Sequence, residues 1–142
     1  MKKLKLYLAH NLDTRHEIRK WELYIEKNYN VELVNPFYDN KRNDIADLDA
    51  GKITRWQLND KRCYALVKRD LKAVDSCEGI LAFVTHGVIG TMLEIGHARA
   101  TRKKIFVISK DYIMHPWIRV YADYRFATKE EFEEWLKIMP KV

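Results

Sequence analysis

Two short stretches of this chain are apolar at every position, and they constrain its fold more than any other feature. They are Gly79–Val84, with the sequence GILAFV, and Ile105–Ile108, with the sequence IFVI. A strand that is apolar on both faces is typical of the centre of a parallel sheet, because helices cover such a sheet on both sides. The two runs therefore predict an α/β protein with helices above and below the sheet.

Strand-like and helix-like segments alternate along the rest of the chain. Leu4, Leu6 and Leu8 alternate with polar residues as in a first strand, and Val31–Val34 forms a second strand that ends at Asn35-Pro36. The other predicted elements are helices from an Asp13 or Thr14 cap to about Asn28, at Cys63–Val74, from about Met92 to Arg102, at Met114–Tyr121 and after a Thr128–Glu131 capping box, with an edge strand at Tyr124–Phe126. This order predicts a doubly wound, mostly parallel five-stranded sheet with helices on both faces, of the Rossmann or flavodoxin-like class.

The length of 142 residues fits one compact domain, 1–142, and no stretch has the composition of a linker. The least regular part is Phe37–Asp60, which is rich in Asp and Asn and in which short helices are expected around Asp44–Asp49 and Thr54–Asn59. It follows a strand, at the sheet edge where α/β proteins place substrate-binding loops. We therefore interpret it as a flap over the site.

Composition and charge exclude several classes of protein. The net charge of +6 comes from scattered Lys and Arg residues, so we expect no nucleic acid partner despite the positive sign. The apolar run of MKKLKLYLAH is too short and too interrupted for a signal peptide or a membrane span. Cys63 and Cys77 have neither metal-ligand nor redox-motif spacing. We therefore expect a cytoplasmic protein without membrane contact.

The segment THGVIGTMLEIGHARA follows the first apolar strand and is the most informative part of the chain. Gly87 and Gly90 let the backbone approach a ligand closely, and the helix expected to begin near Thr91 directs free N–H groups at the same space. Glu94 is predicted in the first turn, where the helix dipole favours an ionised carboxylate, as a nucleophile requires. A glutamate that simply stabilises a helix start is the alternative interpretation of these residues.

Four segments together resemble the nucleoside 2-deoxyribosyltransferase family. They are YLA in the first strand, NPF after the second strand, RDLKAVDSCEGILAFV, and GTMLEIGHARATRKKIFVI. That family shows a Tyr in strand one, an Asp-Leu on the helix before the central strand, and a G-x-x-x-E-x-G-x-A motif. The resemblance runs from Leu4 to about Ile108, with Asp70 and Glu94 in the right order and separated by one helix, one strand and one loop.

The resemblance implies a role for each matching residue in cleaving an N-glycosidic bond. Glu94 would attack the anomeric carbon and form a glycosyl-enzyme ester, and Tyr7 would orient that carboxylate by a hydrogen bond. Asp70 would donate a proton to the leaving base. Considered alone, Tyr7 has the character of an ordinary strand tyrosine, and Asp70 that of a solvated carboxylate beside Lys68 or Arg69.

Further residues are implied to bind the substrate. Phe37, after NP, would line the base pocket, with a core position as the equal alternative, and Gly90 and Thr91 would bring backbone donors to the sugar or a phosphate. His86 is the histidine expected to face the site. The family resemblance also implies a homo-oligomer, a dimer or larger, with sites completed across the interface.

The chain departs from the family at the sixth position before Glu94. Nucleoside transferases usually carry an acidic residue there and the related deoxynucleotide N-hydrolases a serine, whereas this chain has Val88. The sugar 5′ group must then be held by Thr85, His86 or backbone amides. Arg15 lies near the position of a phosphate-binding arginine in the N-hydrolases, although an exposed helix arginine is the simpler interpretation.

These patterns favour a transferase that passes deoxyribose from a nucleoside to another free base. The alternative is a deoxynucleoside 5′-monophosphate N-glycosidase, in which water resolves the intermediate, and a third hypothesis is a non-catalytic nucleotide-binding module. Glu94 and His97 have the Glu-x-x-His spacing of di-metal sites but lack the second pair that such sites need. We therefore expect no metal and no cofactor.

Overall fold

The computed structural model describes residues 2–39 and 57–139. The short helices expected around Asp44–Asp49 and Thr54–Asn59 lie outside these residues, apart from residues 57–59. The described elements, in chain order, are β1 (Leu4–Ala9), α1 (Arg15–Asn28), β2 (Val31–Val34), α2 (Asp60–Asp75), β3 (Gly79–Phe83), α3 (Ile89–Ala100), β4 (Lys104–Ile108), α4 (Pro116–Tyr121), β5 (Tyr124–Phe126) and α5 (Lys129–Ile138).

The five strands form one parallel sheet in the order β2-β1-β3-β4-β5. Each added strand pairs in parallel with a neighbour, so helices must carry the chain back across the sheet. The strand order reverses beside β1, which creates the point at which ligands bind in sheets of this class. The predicted α/β fold is therefore confirmed, and the described sheet is parallel throughout.

The two faces of the sheet bury separate apolar clusters because side chains alternate along each strand. On one face Leu6 and Leu8 pack with Ile25 of α1 and Phe132 of α5. On the other face lie buried residues of β1, α2, β3, α3, β4 and α4, including Tyr7, Val74, Ile80, Ile95, Ile105 and Ile118. Tyr7 thus belongs to the face that α3 covers.

Glycine is required at the start of β3 by the closeness of the neighbouring strand. A Cβ atom at Gly79 would lie 2.5 Å from the carbonyl oxygen of Lys104. Gly79 pairs in register with Leu6 on one side and Lys104 on the other, so the strand cannot move away from either. Because glycine has no side chain, β3 can pair closely with both β1 and β4 at this position.

Several helix boundaries differ from those expected. Helix α2 begins at Asp60, three residues before the predicted start, because the Asn59 side chain accepts a hydrogen bond from the Arg62 amide. The Thr128 capping of α5 is confirmed by the Glu131 amide, which donates to Thr128 Oγ1 at 3.2 Å.

None of the described helices is long and apolar enough to span a membrane. Cys63 and Cys77 are free thiols, the first exposed and the second buried.

Candidate active site

The centre of the candidate site is a contact between β1 and α3. The hydroxyl group of Tyr7 donates a hydrogen bond to Oε2 of Glu94. Tyr7 is fully buried, and its strand position is fixed on both sides by pairing with Val34 and Ile80. Glu94 is half-buried on the helix above it. A rigid donor on one carboxylate oxygen sets the direction in which the other oxygen points.

Glu94 lies one turn deeper in its helix than expected. Helix α3 begins at Ile89, with Val88 as its N-cap, rather than near Thr91. The first turn of α3 contains no acidic residue, so the prediction that Glu94 occupies it was wrong. The helix dipole acts mainly within the first turn. The Tyr7 hydroxyl is therefore the closer source of stabilisation for a negative charge on this carboxylate.

Asp70 lies on α2, the helix that packs against α3. Its side chain is half-buried. The two helices are joined near their ends by His97 of α3, whose Nε2 lies 2.7 Å from Oδ1 of Asp75 on α2. This contact gives His97 a structural role, and it fixes the relative positions of the helices that carry Asp70 and Glu94.

The loop between β3 and α3 approaches the same edge of the sheet. Gly87 has a φ of 77°, a left-handed conformation that glycine adopts without strain. His86 is exposed, and its Nδ1 lies 3.1 Å from the hydroxyl oxygen of Tyr112. The loop therefore combines a glycine-dependent turn with a histidine tied to the segment after β4.

Gly90 and Thr91 both lie in the first turn of α3, but their side-chain positions differ. Thr91 is buried and faces the protein interior, whereas Gly90 is exposed. A Cβ atom at Gly90 would meet nothing within 4 Å. Backbone N–H groups in the first turn of a helix have no partner within that helix. The two residues can therefore contribute their backbone donors to a bound ligand.

Arg15 is the first residue of α1, and its guanidinium group is held by its own loop. Its Nη1 donates to the carbonyl oxygen of Leu12 at 2.8 Å. The same loop is closed by Asn11, whose Oδ1 accepts from the Thr14 amide at 2.9 Å. Thr14 is the N-cap residue of α1, as expected, although its own side chain makes no capping hydrogen bond. Arg15 thus has a defined role in ordering the loop after β1.

The segment after β2 folds around Asn35, which the sequence had indicated only as the end of the strand and as part of the NPF segment. Asn35 is fully buried, and its Oδ1 accepts from the Phe37 amide at 3.1 Å and lies 3.2 Å from Nε2 of His10. The ring of Phe37 packs on the ring of His10, with centroids 4.9 Å apart. Burial lowers the pKa of His10. A neutral, buried imidazole therefore supports the half-buried Phe37 ring.

Glu22 of α1 is a second residue that sequence reasoning missed. It is fully buried, and Arg19 donates a hydrogen bond to its Oε2. Burial raises the pKa of Glu22 to about 7, while Arg19 and Asn35 act in the opposite direction. The signal in the sequence was a glutamate on the apolar side of α1, between Ile18 and Ile25.

A separate groove of about 700 Å³ runs between α3 and α4. Its lining is largely apolar and includes Ile89, Met92, Leu93, Trp117, Ile118 and Tyr121. Tyr7 and Glu94 do not line it, so the groove is distinct from the Tyr7–Glu94 contact. Among residues 2–39 and 57–139, no group of three or more His, Cys, Asp or Glu side chains is arranged to hold a metal ion.

The solved structures that share this architecture include two enzymes. One is the 2-deoxyribosyltransferase of Bacillus psychrosaccharolyticus, with a TM-score of 0.65, 16% identity, and coverage of 91% of this chain and 90% of the other. The second is the CMP N-glycosidase of Clostridium botulinum, with a TM-score of 0.52, 19% identity, and coverage of 94% and 98%. No protein-family model matches the chain, and no curated protein matches it in sequence. The chain therefore has the fold of two enzymes that are named for acting on 2-deoxyribosyl groups and N-glycosidic bonds, in agreement with its sequence resemblance to the nucleoside 2-deoxyribosyltransferases.

Proposed function

We propose that this protein is a nucleoside 2-deoxyribosyltransferase, which moves the deoxyribosyl group of a deoxynucleoside to another base. The observation that carries the proposal is the hydrogen bond from the Tyr7 hydroxyl to the Glu94 carboxylate. A nucleophilic carboxylate must be ionised and held in one orientation, and a buried tyrosine hydroxyl serves both needs. The structural likeness to a 2-deoxyribosyltransferase supports the same reaction class.

In the proposed first half-reaction, a carboxylate oxygen of Glu94 attacks the anomeric carbon of the nucleoside. A C–O bond forms as the C–N bond to the base breaks, and the base leaves with the bonding electron pair. Asp70 in its protonated form donates a proton to a ring nitrogen, so the base departs neutral. In the second half-reaction a nitrogen of the acceptor base attacks the same carbon and forms the new C–N bond. The ester C–O bond breaks with its electron pair remaining on the Glu94 carboxylate, and the acceptor base gives its N–H proton back to Asp70.

Binding of the substrate is assigned to the loops at the carboxyl edge of the sheet. Phe37 would stack on or beside the base, supported by His10 beneath it. Backbone amides of Gly90 and Thr91, with the side chain of His86, would hold the sugar or a 5′ substituent. Val88 is buried at the N-cap of α3 and offers no polar group to a 5′ hydroxyl, so the specificity at that position must come from these neighbours.

Hydrolysis of a deoxynucleoside 5′-monophosphate is the second candidate function. It is favoured by the likeness to a CMP N-glycosidase, which covers nearly all of both chains. Arg15, at the start of α1, would then be the residue expected to face the 5′ phosphate. Both candidates use Glu94 as the nucleophile and differ in whether a base or water attacks the intermediate.

We also propose that the protein is a homo-oligomer and that the α3–α4 face binds a second copy. Large apolar side chains on this face are strongly exposed: Ile89 is 75% exposed, Leu93 69% and Trp117 63%. Standard interfaces bury about 800 Å² on each partner, and a buried aromatic side chain contributes about 150–250 Å² of that. In a dimer with two-fold symmetry, the α3–α4 face of one copy would pack against the α3–α4 face of the other.

Gly96 gives independent support for close packing on the same face. It lies inside α3, where glycine costs roughly 1 kcal/mol relative to alanine. A Cβ atom there would meet nothing within 4 Å in the described chain, so no neighbouring strand or helix explains the glycine. Gly96 and Leu93 line the same groove. A helix of a second copy approaching at Gly96 would account for its small size.

A cytoplasmic location is proposed on the state of the cysteines. Cys63 and Cys77 are both unpaired thiols in the structure. Disulfides are rare where glutathione and thioredoxin keep thiols reduced, and the absence of a bridge between these two residues fits such a compartment.

A chromatographic assay with and without an acceptor base tests the proposed function. Deoxynucleosides and deoxynucleoside 5′-monophosphates are incubated with the wild-type protein and with the Glu94→Ala variant. A new nucleoside that forms only when acceptor base is present supports the transferase. Free base released from a monophosphate without acceptor supports the N-glycosidase instead. Equal activity of the Glu94→Ala variant would contradict both.

A further inference from the structure

A set of polar contacts connects α1 to the segment Asn35–Asp39 that follows β2. Its α1 side consists of His16, Arg19 and Glu22, which we name the α1 clamp. Arg19 donates to Glu22 and lies 3.8 Å from a carboxylate oxygen of Asp39. This places one guanidinium group between a buried carboxylate and a carboxylate of the segment.

The aromatic residue of the segment is held by the same helix. The Arg19 guanidinium carbon lies 4.9 Å from the centroid of the Tyr38 ring, a cation–π distance. The Tyr38 hydroxyl oxygen lies 2.8 Å from Nδ1 of His16. The α1 clamp therefore contacts both Tyr38 and Asp39, the two residues that follow Phe37.

Inside the segment, Asn35 makes the local hydrogen bonds that fix its course. Its amide donates to Oδ2 of Asp39 at 2.6 Å, and its carbonyl accepts from the Asp39 amide at 2.9 Å. Its side-chain oxygen holds the Phe37 amide and His10, as described above. The side-chain nitrogen Nδ2 of Asn35 and Oε1 of Glu22 are both fully buried and have no other hydrogen-bond partner among the described residues. The Asn35 side chain lowers the pKa of Glu22, so the two side chains interact with each other.

The burial of Glu22 needs a reason beyond stability. Removing a carboxylate from water costs several kcal/mol, and replacing a buried ion pair by apolar residues is often neutral or stabilising. An amphipathic helix such as α1 gains more from an apolar residue at this position. Buried polar groups of this kind are retained where they specify one geometry, and the geometry specified here is that of the segment carrying Phe37.

We propose that Glu22 is a positioning residue, which acts through Arg19 and Asn35 to hold Asn35–Asp39 and thereby the Phe37 ring at the substrate site. This inference rests on the proposed function for the identity of the substrate, but not for the ordering of the segment. Because Phe37 would contact the base equally in the ground state and the transition state, loss of the clamp weakens substrate binding and leaves the chemical step intact.

Two readouts on the full-length protein test the proposal. The first is hydrogen–deuterium exchange of the peptide covering residues 35–39, which requires no substrate. The second is steady-state kinetics with a deoxynucleoside and an acceptor base. In the Glu22→Ala variant the peptide is expected to exchange at least about tenfold faster, because its anchoring contacts open. KM is expected to rise about tenfold while kcat stays within twofold.

Two further variants separate positioning from general damage to the fold. Glu22→Gln keeps the shape and a hydrogen-bonding oxygen, so it should recover part of the loss in KM. Arg19→Gln alters the partly exposed side of the α1 clamp and should reproduce the exchange effect even if Glu22→Ala does not fold. Glu17→Gln, on the exposed side of the same helix, is the matched control and should behave as wild type.

Each outcome decides one part of the proposal. Unchanged exchange at residues 35–39 in both Glu22→Ala and Arg19→Gln would overturn the role of the α1 clamp. Faster exchange with an unchanged KM, or a fall in kcat at constant KM, would overturn the link from Glu22 to substrate binding. If the wild-type protein turns over no nucleoside or nucleotide, the proposed function fails, and the exchange experiment still decides whether the α1 clamp orders the segment.

Discussion

The hydroxyl of Tyr7 donates a hydrogen bond to Oε2 of Glu94, although the two residues are 87 positions apart in the sequence. Tyr7 is immobilised in the second-from-edge strand of a parallel sheet, and Glu94 lies on a helix covering that face. A contact between a buried strand and a half-buried helix residue leaves little freedom to either side chain. An oriented carboxylate of this kind is what the proposed covalent catalysis at an anomeric carbon would require.

Removing only the hydroxyl of Tyr7 should reduce turnover without disturbing the fold. The Tyr7→Phe variant keeps the ring in the core but removes the donor to Glu94. A hydrogen bond to a charged group contributes about 1.5–3 kcal/mol, so kcat for nucleoside cleavage should fall roughly 10- to 100-fold. Steady-state kinetics measures this effect.

The matched control for that variant is Tyr29→Phe. Tyr29 also donates to a glutamate, with its hydroxyl 2.7 Å from Oε2 of Glu133. That contact joins the end of α1 to α5 and lies away from the proposed site. Tyr29→Phe should leave kcat unchanged. An equal loss in both variants would contradict a specific role for the Tyr7 hydroxyl.

Replacing Asp70 should affect poor leaving groups most. If Asp70 protonates the departing base, Asp70→Asn should lower kcat by about 10²–10⁴-fold for a natural nucleoside. A substrate whose leaving group departs without protonation should lose much less. Asp75→Asn, on the same helix and paired with His97, is the control. A uniform loss across leaving groups would argue that Asp70 acts in binding rather than proton transfer.

The buried carboxyl of Glu22 should make stability depend on pH. Its folded-state pKa of about 7 lies above the ordinary value of 4.5, so the folded protein binds more protons between these values. Its stabilising contribution, up to roughly 3 kcal/mol, is fully present below pH 4.5 and is lost as the pH rises through 7. Burial raises this pKa most, Glu26 raises it further, and Arg19 and Asn35 lower it.

Thermal unfolding at several pH values measures the difference. The melting temperature of the wild type should fall from pH 5 to pH 8 more steeply than that of Glu22→Gln, which cannot titrate at this position. His10 lies near the same network and is present in both proteins, so its contribution cancels in the comparison. Parallel pH profiles for the two proteins would show that Glu22 is not protonated in this range.

A charge on the α3–α4 face should disrupt the proposed oligomer. Leu93→Glu would bury a carboxylate against an apolar partner surface, so sedimentation velocity should show a shift towards monomer. Ile138 of α5 is 80% exposed and lies on the other face of the sheet, which makes Ile138→Glu the control. A wild-type monomer, or an effect of Ile138→Glu equal to that of Leu93→Glu, would contradict an interface on α3.

The sequence predicted the sheet well because its strands are short and apolar and are bounded by polar or turn-forming residues. GILAFV and IFVI became β3 and β4, and the bounds of β2 and β5 agree with those expected. The predicted start of α3 was too late because a glycine such as Gly90 is typical of a loop. In the structure Gly90 lies in the first turn of the helix. Local sequence patterns therefore predict the existence and type of an element more accurately than they predict its first residue.

The candidate site could be predicted only in part. The proximity of Tyr7 and Glu94 followed from family resemblance, since no periodicity relates residues in different elements so far apart. The buried positions of Asn35 and Glu22 were missed because each is a polar residue whose burial depends on tertiary packing. A glutamate in a helix is normally exposed to solvent. Glu22 can be buried because Arg19 and Asn35 lie beside its carboxyl group.

The formation of a covalent bond between Glu94 and the sugar is best tested by intact-protein mass spectrometry. The protein is incubated with a 2′-fluoro-arabinonucleoside, in which the electron-withdrawing fluorine slows breakdown of the glycosyl-enzyme ester. We predict a mass increase of one fluorinated sugar that maps to the peptide containing Glu94, is absent in Glu94→Ala, and disappears when an acceptor base is added. Turnover of natural substrate without any adduct, or an adduct on another residue, would contradict the role of Glu94 as nucleophile.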